Sequence, residues 1–224
     1  MTFSIAARCA QTGRFGIAVA SSSPAVAARC AHGRAGIGAV TSQNVTDPRL
    51  GPQALDLLAR GATATQARDI IAATAPHAAH RQLTVIDGEG RTAAFSGAGT
   101  LGLHAEAEGR NVVSAGNLLA NTGVPAAIVA AFEATEGTPL GPRILTAMAA
   151  GLAAGGEAGP IRSAGMLLFG EVPWAIADLR VDWHDTPITE LANLWTVWEP
   201  QMDAYVTRAL NPGAAPSYGV PGDE

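Results

Sequence analysis

Thr2 is the residue of this chain with the most chemistry within reach. Removal of Met1 would leave one residue carrying both a hydroxyl nucleophile and a free α-amine. An α-amine titrates at roughly 7.7–8.0 in unstructured peptides. It can therefore take the hydroxyl proton near neutral pH, directly or through one water. Threonine paired with its own N-terminal amine is one of the known forms of activated nucleophile. The run Thr2-Phe3-Ser4-Ile5-Ala6-Ala7-Arg8-Cys9 reads as a strand, so a sheet would hold that nucleophile in place.

Several polar residues fall where they could serve Thr2. Ser21 closes the second strand, where a hydroxyl can reach the Thr2 amine, and Ser4 shares its strand face. Gln43 and Asn117 stand just past strand ends, where side-chain amides can point into a cleft. Asn117 is the candidate oxyanion donor, a role whose loss typically costs about 10²–10³ in rate. Asx-type turns are the competing use for such residues. Arg81 and Arg8 offer planar guanidinium forks suited to a substrate carboxylate.

Composition removes other chemistries. All 14 basic residues are arginine, so Schiff bases, pyridoxal phosphate anchoring and lysine-based phosphate loops are excluded. Cys9 and Cys30 lack metal or redox spacing, and Cys9, on the face of Phe3 and Ile5, reads as a packed thiol. Histidine is sparse: His77 and His80 follow Pro76 in a loop, and His184 lies in Asp182-Trp183-His184-Asp185, where turn and capping roles suit it. A metal-dependent hydrolase is thereby disfavoured, and neither metal nor cofactor is expected. The Gly-x-Ser-x-Gly elbow of internal-serine hydrolases is missing. A net charge of −5 argues against nucleic acid as a partner. With no basic-then-apolar leader and no bilayer-length apolar run, the expectation is a cytoplasmic, soluble protein without membrane contact.

The elements that must position these residues are legible in outline. At 224 residues with 48% hydrophobic and 15% charged positions, the chain can bury the core of one large domain. Alternation predicts strands at 2–9, 14–22, 35–43, 82–87, 91–96, 111–116, 163–169 and 174–181. Helices are predicted over 52–60, from the capping box Thr63-Ala64-Thr65-Gln66 to Pro76, over 125–135 and 139–154, and from Ile188 to Ala209 with a kink at Pro200. Hairpins alternating with helix pairs, and no βαβ rhythm, indicate an α+β domain over residues 1–210. Residues 211–224 form a Pro/Gly-rich tail.

Three blocks, Thr2-Phe3-Ser4-Ile5-Ala6-Ala7-Arg8, Gly16-Ile17-Ala18-Val19-Ala20-Ser21 and Arg34-Ala35-Gly36-Ile37-Gly38-Ala39-Val40, resemble a bacterial and archaeal family, domain of unknown function 1028. That family is similar in fold to the N-terminal nucleophile (Ntn) hydrolases. The resemblance continues through Thr41-Ser42-Gln43, Gln82–Asp87, Gly116-Asn117 and Asp178–His184, and spans roughly residues 1–195. It implies a four-layer αββα sandwich of two antiparallel sheets, with Thr2 at the nucleophile position. It also implies an amidohydrolase acting on a small-molecule amide or peptide-like substrate through an acyl-enzyme. Two alternatives stand beside this: a non-catalytic binding or scaffold protein that keeps the fold, and cell-wall (peptidoglycan) amide metabolism, suggested by relatives with a peptidoglycan-binding module. Many Ntn enzymes place a lysine near the nucleophile, and this chain has none. A homodimer is the expected assembly, with the tryptophan-bearing last helix as a possible interface.

Overall fold

A computed structural model describes residues 1–223. The chain opens with the hairpin β1 (Thr2–Arg8) and β2 (Phe15–Ser21), then α1 (Ala27–Cys30), β3 (Ala31–Arg34) and β4 (Gly38–Asn44). Helices α2 (Leu50–Ala59) and α3 (Ala64–Thr74) lead to β5 (Arg81–Asp87), β6 (Thr92–Ser96), β7 (Ala105–Gly109) and β8 (Val112–Asn117). After α4 (Val124–Ala134) and α5 (Leu140–Ala153) come β9 (Ser163–Phe169), β10 (Ala175–Val181), α6 (Pro187–Trp198) and α7 (Met202–Leu210). One sheet has the order β10-β9-β2-β1-β8-β7, the other β3-β4-β5-β6. All neighbouring strands are antiparallel.

The two sheets face each other. Helices α4, α5 and α6 cover the outside of the larger sheet, and α2 and α3 cover the smaller. This is the αββα arrangement of an α+β fold, and strand alternation produces it. On β1, Phe3, Ile5 and Ala7, with Cys9 just beyond it, enter the core under the helices, while Ala6 enters the core between the sheets. On β2, Phe15, Ile17 and Val19 face the smaller sheet. The opposite face of β2 is kept small because α5 lies directly on it: a Cβ on Gly16 would stand 2.2 Å from Ile144 Cδ1. Fully burying a side chain such as Phe3 is worth about 1.5–3 kcal/mol, and three such cores stack in this sandwich.

Local signals also hold. Thr63 and Gln66 form the reciprocal capping box of α3. At Pro200 the last helix breaks into α6, a 3₁₀ turn and α7. The buried face of α3 is narrow: Ala64, Ala67 and Ile71 are buried while Ile70 and Thr74 are exposed. Two strands escaped sequence reading. β3 has only four residues, and β7, Ala-Glu-Ala-Glu-Gly, is an edge strand with low strand propensity. Beyond α7 the tail folds back, placing the Tyr218 ring 3.8 Å from the Arg208 guanidinium. Among the described residues no helix is long and apolar enough to cross a membrane.

Candidate active site

The layer between the sheets is polar at one end, and register decides which end. Thr2 pairs with Asn117 and Phe3 with Ala20, so β1 starts where β8 and β2 finish. In the opposite sheet Gln43 pairs with Gln82, and Gln82 with Ser96, at the matching ends of β4, β5 and β6. Alternation then turns Thr2, Ser21 and Asn117 of one sheet toward Gln43, Gln82 and Ser96 of the other.

Gln82 is the centre of the resulting network. Its Oε1 accepts from Gln43 Nε2 at 2.8 Å and from Asn117 Nδ2 at 3.0 Å. Its Nε2 donates to Ser96 Oγ at 2.8 Å and to the Gly116 carbonyl at 3.0 Å. These bonds fix what the other two amides present. Asn117 turns its NH₂ toward Gln82 and leaves a buried, unpartnered Oδ1. Gln43 directs Nε2 to Gln82 and, at 3.1 Å, to the Ala115 carbonyl, leaving its own Oε1 unpartnered. For Asn117, expected as an oxyanion donor, one N–H is thus committed to Gln82, and Oδ1 is the atom left without a partner. Two orphaned carbonyl oxygens in a buried layer suit a group bearing N–H or O–H bonds.

Thr2 itself is only 6% exposed. Its Oγ1 donates to the Met1 carbonyl and lies 3.5 Å from Ser21 Oγ. Ser21 Oγ donates to that same Met1 carbonyl at 2.5 Å and accepts from Ser23 N–H at 3.0 Å. Ser163 holds the turn after β2 in place, donating to the Ser23 carbonyl at 2.6 Å and accepting from Val26 N–H at 3.2 Å. Ser4 lies one step deeper on the same face. Its hydroxyl is 3.5 Å from Thr41 Oγ1, which is 2.7 Å from Thr84 Oγ1, and all three are buried. Ser4 thus belongs to the packing beneath Thr2 and not to the surface a substrate would meet.

Glu157 is the residue that sequence reasoning missed. It sits in the loop after α5 and forms an isolated antiparallel bridge with Leu119, just beyond β8. Its buried carboxylate accepts from Ser22 N–H at 3.2 and 3.1 Å. Burial pushes this carboxyl up to about 7, while the charge of the Met1 α-amine and the bonds from Ser22 pull it back. Glu157 and Gly159 also line a cavity of about 240 Å³ walled by Leu152, Ile161 and Ile188. No local pattern marks Glu157, because its partners are brought to it across the whole chain.

The two arginines expected to bind substrate go elsewhere. Arg8 faces the same way as Thr2 but lies at the far end of β1, roughly 20 Å along the strand. There it lines a small polar recess with Arg110, Glu133, Glu136 and Arg143. Arg81 is buried and tied to backbone carbonyls, with Nη1 2.5 Å from Val45 O and Nε and Nη2 3.4 and 3.3 Å from Pro76 O. It staples two loops together. His184 Nδ1 accepts from Thr186 N–H at 3.1 Å in the turn that leads into α6, which has no side-chain cap of its own. Among the described residues no group of three or more His, Cys, Asp or Glu side chains could hold a metal ion.

A model described as "Family of unknown function (DUF1028)" matches residues 2–191. The chain belongs to this family. A crystal structure of a protein from Silicibacter pomeroyi carrying the same family label is 29% identical to it, with a TM-score of 0.81, covering 88% of this chain and 85% of the other. Anbu (ancestral beta-subunit) from Yersinia bercovieri is 13% identical with a TM-score of 0.42, covering 91% of this chain and 97% of the other. No curated protein matches. The family match starts at Thr2 and ends inside α6, so it includes every residue of the polar layer and Glu157.

Proposed function

We propose that this member of the DUF1028 family is an N-terminal-nucleophile hydrolase of amide bonds, with Thr2 as the nucleophile after removal of Met1. The observation that carries the reading is the grip on the Met1 carbonyl. That oxygen accepts from both the Thr2 and Ser21 hydroxyls in a buried polar layer. An acyl group attached to Thr2 Oγ1 would bring its carbonyl to the same neighbourhood.

In the proposed cycle the freed α-amine takes the proton of Thr2 Oγ1 as the oxygen attacks the substrate carbonyl. Ser21 Oγ donates to the developing oxyanion. The unpartnered Oδ1 of Asn117, paired with Thr2 across the ladder, is suited to accept an N–H of the amine. The protonated amine then passes its proton to the leaving nitrogen. Water hydrolyses the ester and restores the threonine. Without a lysine in the chain, the α-amine is the base.

Intact mass and N-terminal sequencing test the first requirement, and a β-lactone probe tests the second. Met1 is expected to be absent and Thr2 to be acylated. Full retention of Met1 in protein that turns over an amide would overturn the reading. A protein that only binds would take no label and would keep its affinity for an amide after Thr2→Ala.

A further inference from the structure

Met1 occupies the place where a substrate acyl group would sit, and each of its parts meets a distinct feature. Its carbonyl oxygen is held by Ser21 Oγ at 2.5 Å. The buried Glu157 carboxylate is anchored on Ser22 N–H at 3.1 and 3.2 Å, one residue from the Ser21 that holds the carbonyl, and the charge of the Met1 α-amine is felt there. Its side chain runs along Gly159: a Cβ built there would lie 3.6 Å from Met1 Cε and 3.7 Å from Sδ. Gly159 also lines the cavity of about 240 Å³ walled by Leu152, Ile161 and Ile188. Removing Met1 would free the Ser21 hydroxyl and the surface of Gly159 together, next to the buried carboxylate that shares a cavity with Gly159.

We infer that the substrate's acyl half is an aminoacyl group, its free α-amine received by Glu157 and an apolar side chain directed along Gly159 toward the cavity. The inference rests on Thr2 being the nucleophile and names the substrate class of that site. Thr2 Oγ1 forms a bond to the aminoacyl carbonyl carbon as the bond from that carbon to the leaving nitrogen breaks. The Thr2 amine carries the proton from Oγ1 to the leaving amine. Water then cleaves the ester, so that aminoacyl amide and water yield an amino acid and an amine. Glu157 keeps its carboxylate throughout, bonded to Ser22 N–H and to the substrate ammonium. A buried carboxylate without a cation is unfavourable, and an N-acylated substrate supplies none.

The test uses full-length protein lacking Met1, with methionine p-nitroanilide and N-acetylmethionine p-nitroanilide as the two substrates. The same preparation is treated with the β-lactone probe. The free-amine substrate is expected to exceed its acetylated counterpart in kcat/KM by about 10–100-fold, the range for losing one charge-assisted bond. Glu157→Gln, which keeps an oxygen for Ser22 N–H, should raise KM for the free amine and so narrow the gap between the two substrates. If E157Q fails to fold, the wild-type comparison decides alone. Equal or faster cleavage of the acetylated substrate overturns the aminoacyl assignment and leaves Thr2 standing. So does labelling of Thr2 without cleavage of either substrate. Absence of both label and turnover removes the nucleophile and the assignment together.

Discussion

At the far end of the layer between the sheets, Phe15, Ile17, Ala39, Ile86 and Val113 close on one another with no polar side chain among them. At the Thr2 end the same layer holds Thr2, Ser21, Gln43, Gln82 and Asn117, all buried. Two carboxylates mark the contrast. Asp87, at the far end of β5, has both oxygens occupied: Oδ1 by Glu89 and Arg91 N–H at 3.0 and 3.1 Å, Oδ2 by Ala64 N–H and Arg91 Nε at 2.9 and 2.8 Å. Burial alone would raise its pKa, but the Ala64 N–H, the Arg91 guanidinium and the remaining bonds outweigh it and hold the carboxyl below its ordinary value. Glu157, equally hidden, has a single backbone N–H between its two oxygens and is pushed up instead. A saturated buried charge stabilises a turn; an undersupplied one waits for a partner. The same contrast separates Gln82, with every bond made, from Gln43 and Asn117, each with a free acceptor.

The comparison predicts graded losses. Thr2→Ala should reduce amide turnover by at least about 10³-fold with no loss of folding by circular dichroism, since only one hydroxyl and one methyl group are removed at a strand end. Retained turnover would break the assignment of chemistry to the polar end. Gln82→Met deletes four hydrogen bonds at nearly constant volume. It should cost about 2–4 kcal/mol in urea unfolding, because it leaves the Asn117 NH₂ without its acceptor. A neutral result would mean that the network is solvated rather than buried.

Asp87→Asn should cost about 1.5–3 kcal/mol at neutral pH by loss of charge-assisted bonds. A depressed pKa contributes stability above the unfolded value and loses it as pH falls through the folded one. The difference between wild type and D87N should therefore vanish in acid. Glu157 behaves in the opposite sense. Its raised pKa means that the folded state binds the extra proton between the ordinary 4.5 and about 7. The associated stability is complete below 4.5 and lost as pH rises to about 7. Thermal unfolding across that window should fall more steeply for wild type than for Glu157→Gln. The smallest effect belongs to the apolar end, where Ile17→Val should cost about 0.5–1.5 kcal/mol and leave turnover unchanged.

Much of the scaffold was legible because the signals are local. Alternation in Phe15, Ile17 and Val19 marks one strand face, and the small residues on the other face are those on which α5 packs. The Thr63–Gln66 box and Pro200 marked helix boundaries by backbone chemistry alone. Within the site, Thr2 and Ser21 were found from their positions at strand ends, and the structure brings their hydroxyls to 3.5 Å. Alternation failed for Arg8 because it reports the face and not the distance along a strand. Nor does it tell which way the Asn117 amide points, which the Gln82 hub decides.

The order of residues along the chain was enough to specify an α+β alternation of hairpins with helix pairs and a threonine at the head of the first strand. Each of those follows from interactions between residues close in sequence. The direction of each buried amide, the stapling of Arg81 and the arrival of Glu157 beside Met1 were decided by tertiary packing. They depend on contacts between segments up to 135 positions apart, as between Ser22 and Glu157. Desolvation and unsatisfied lone pairs exist only once both sheets have closed.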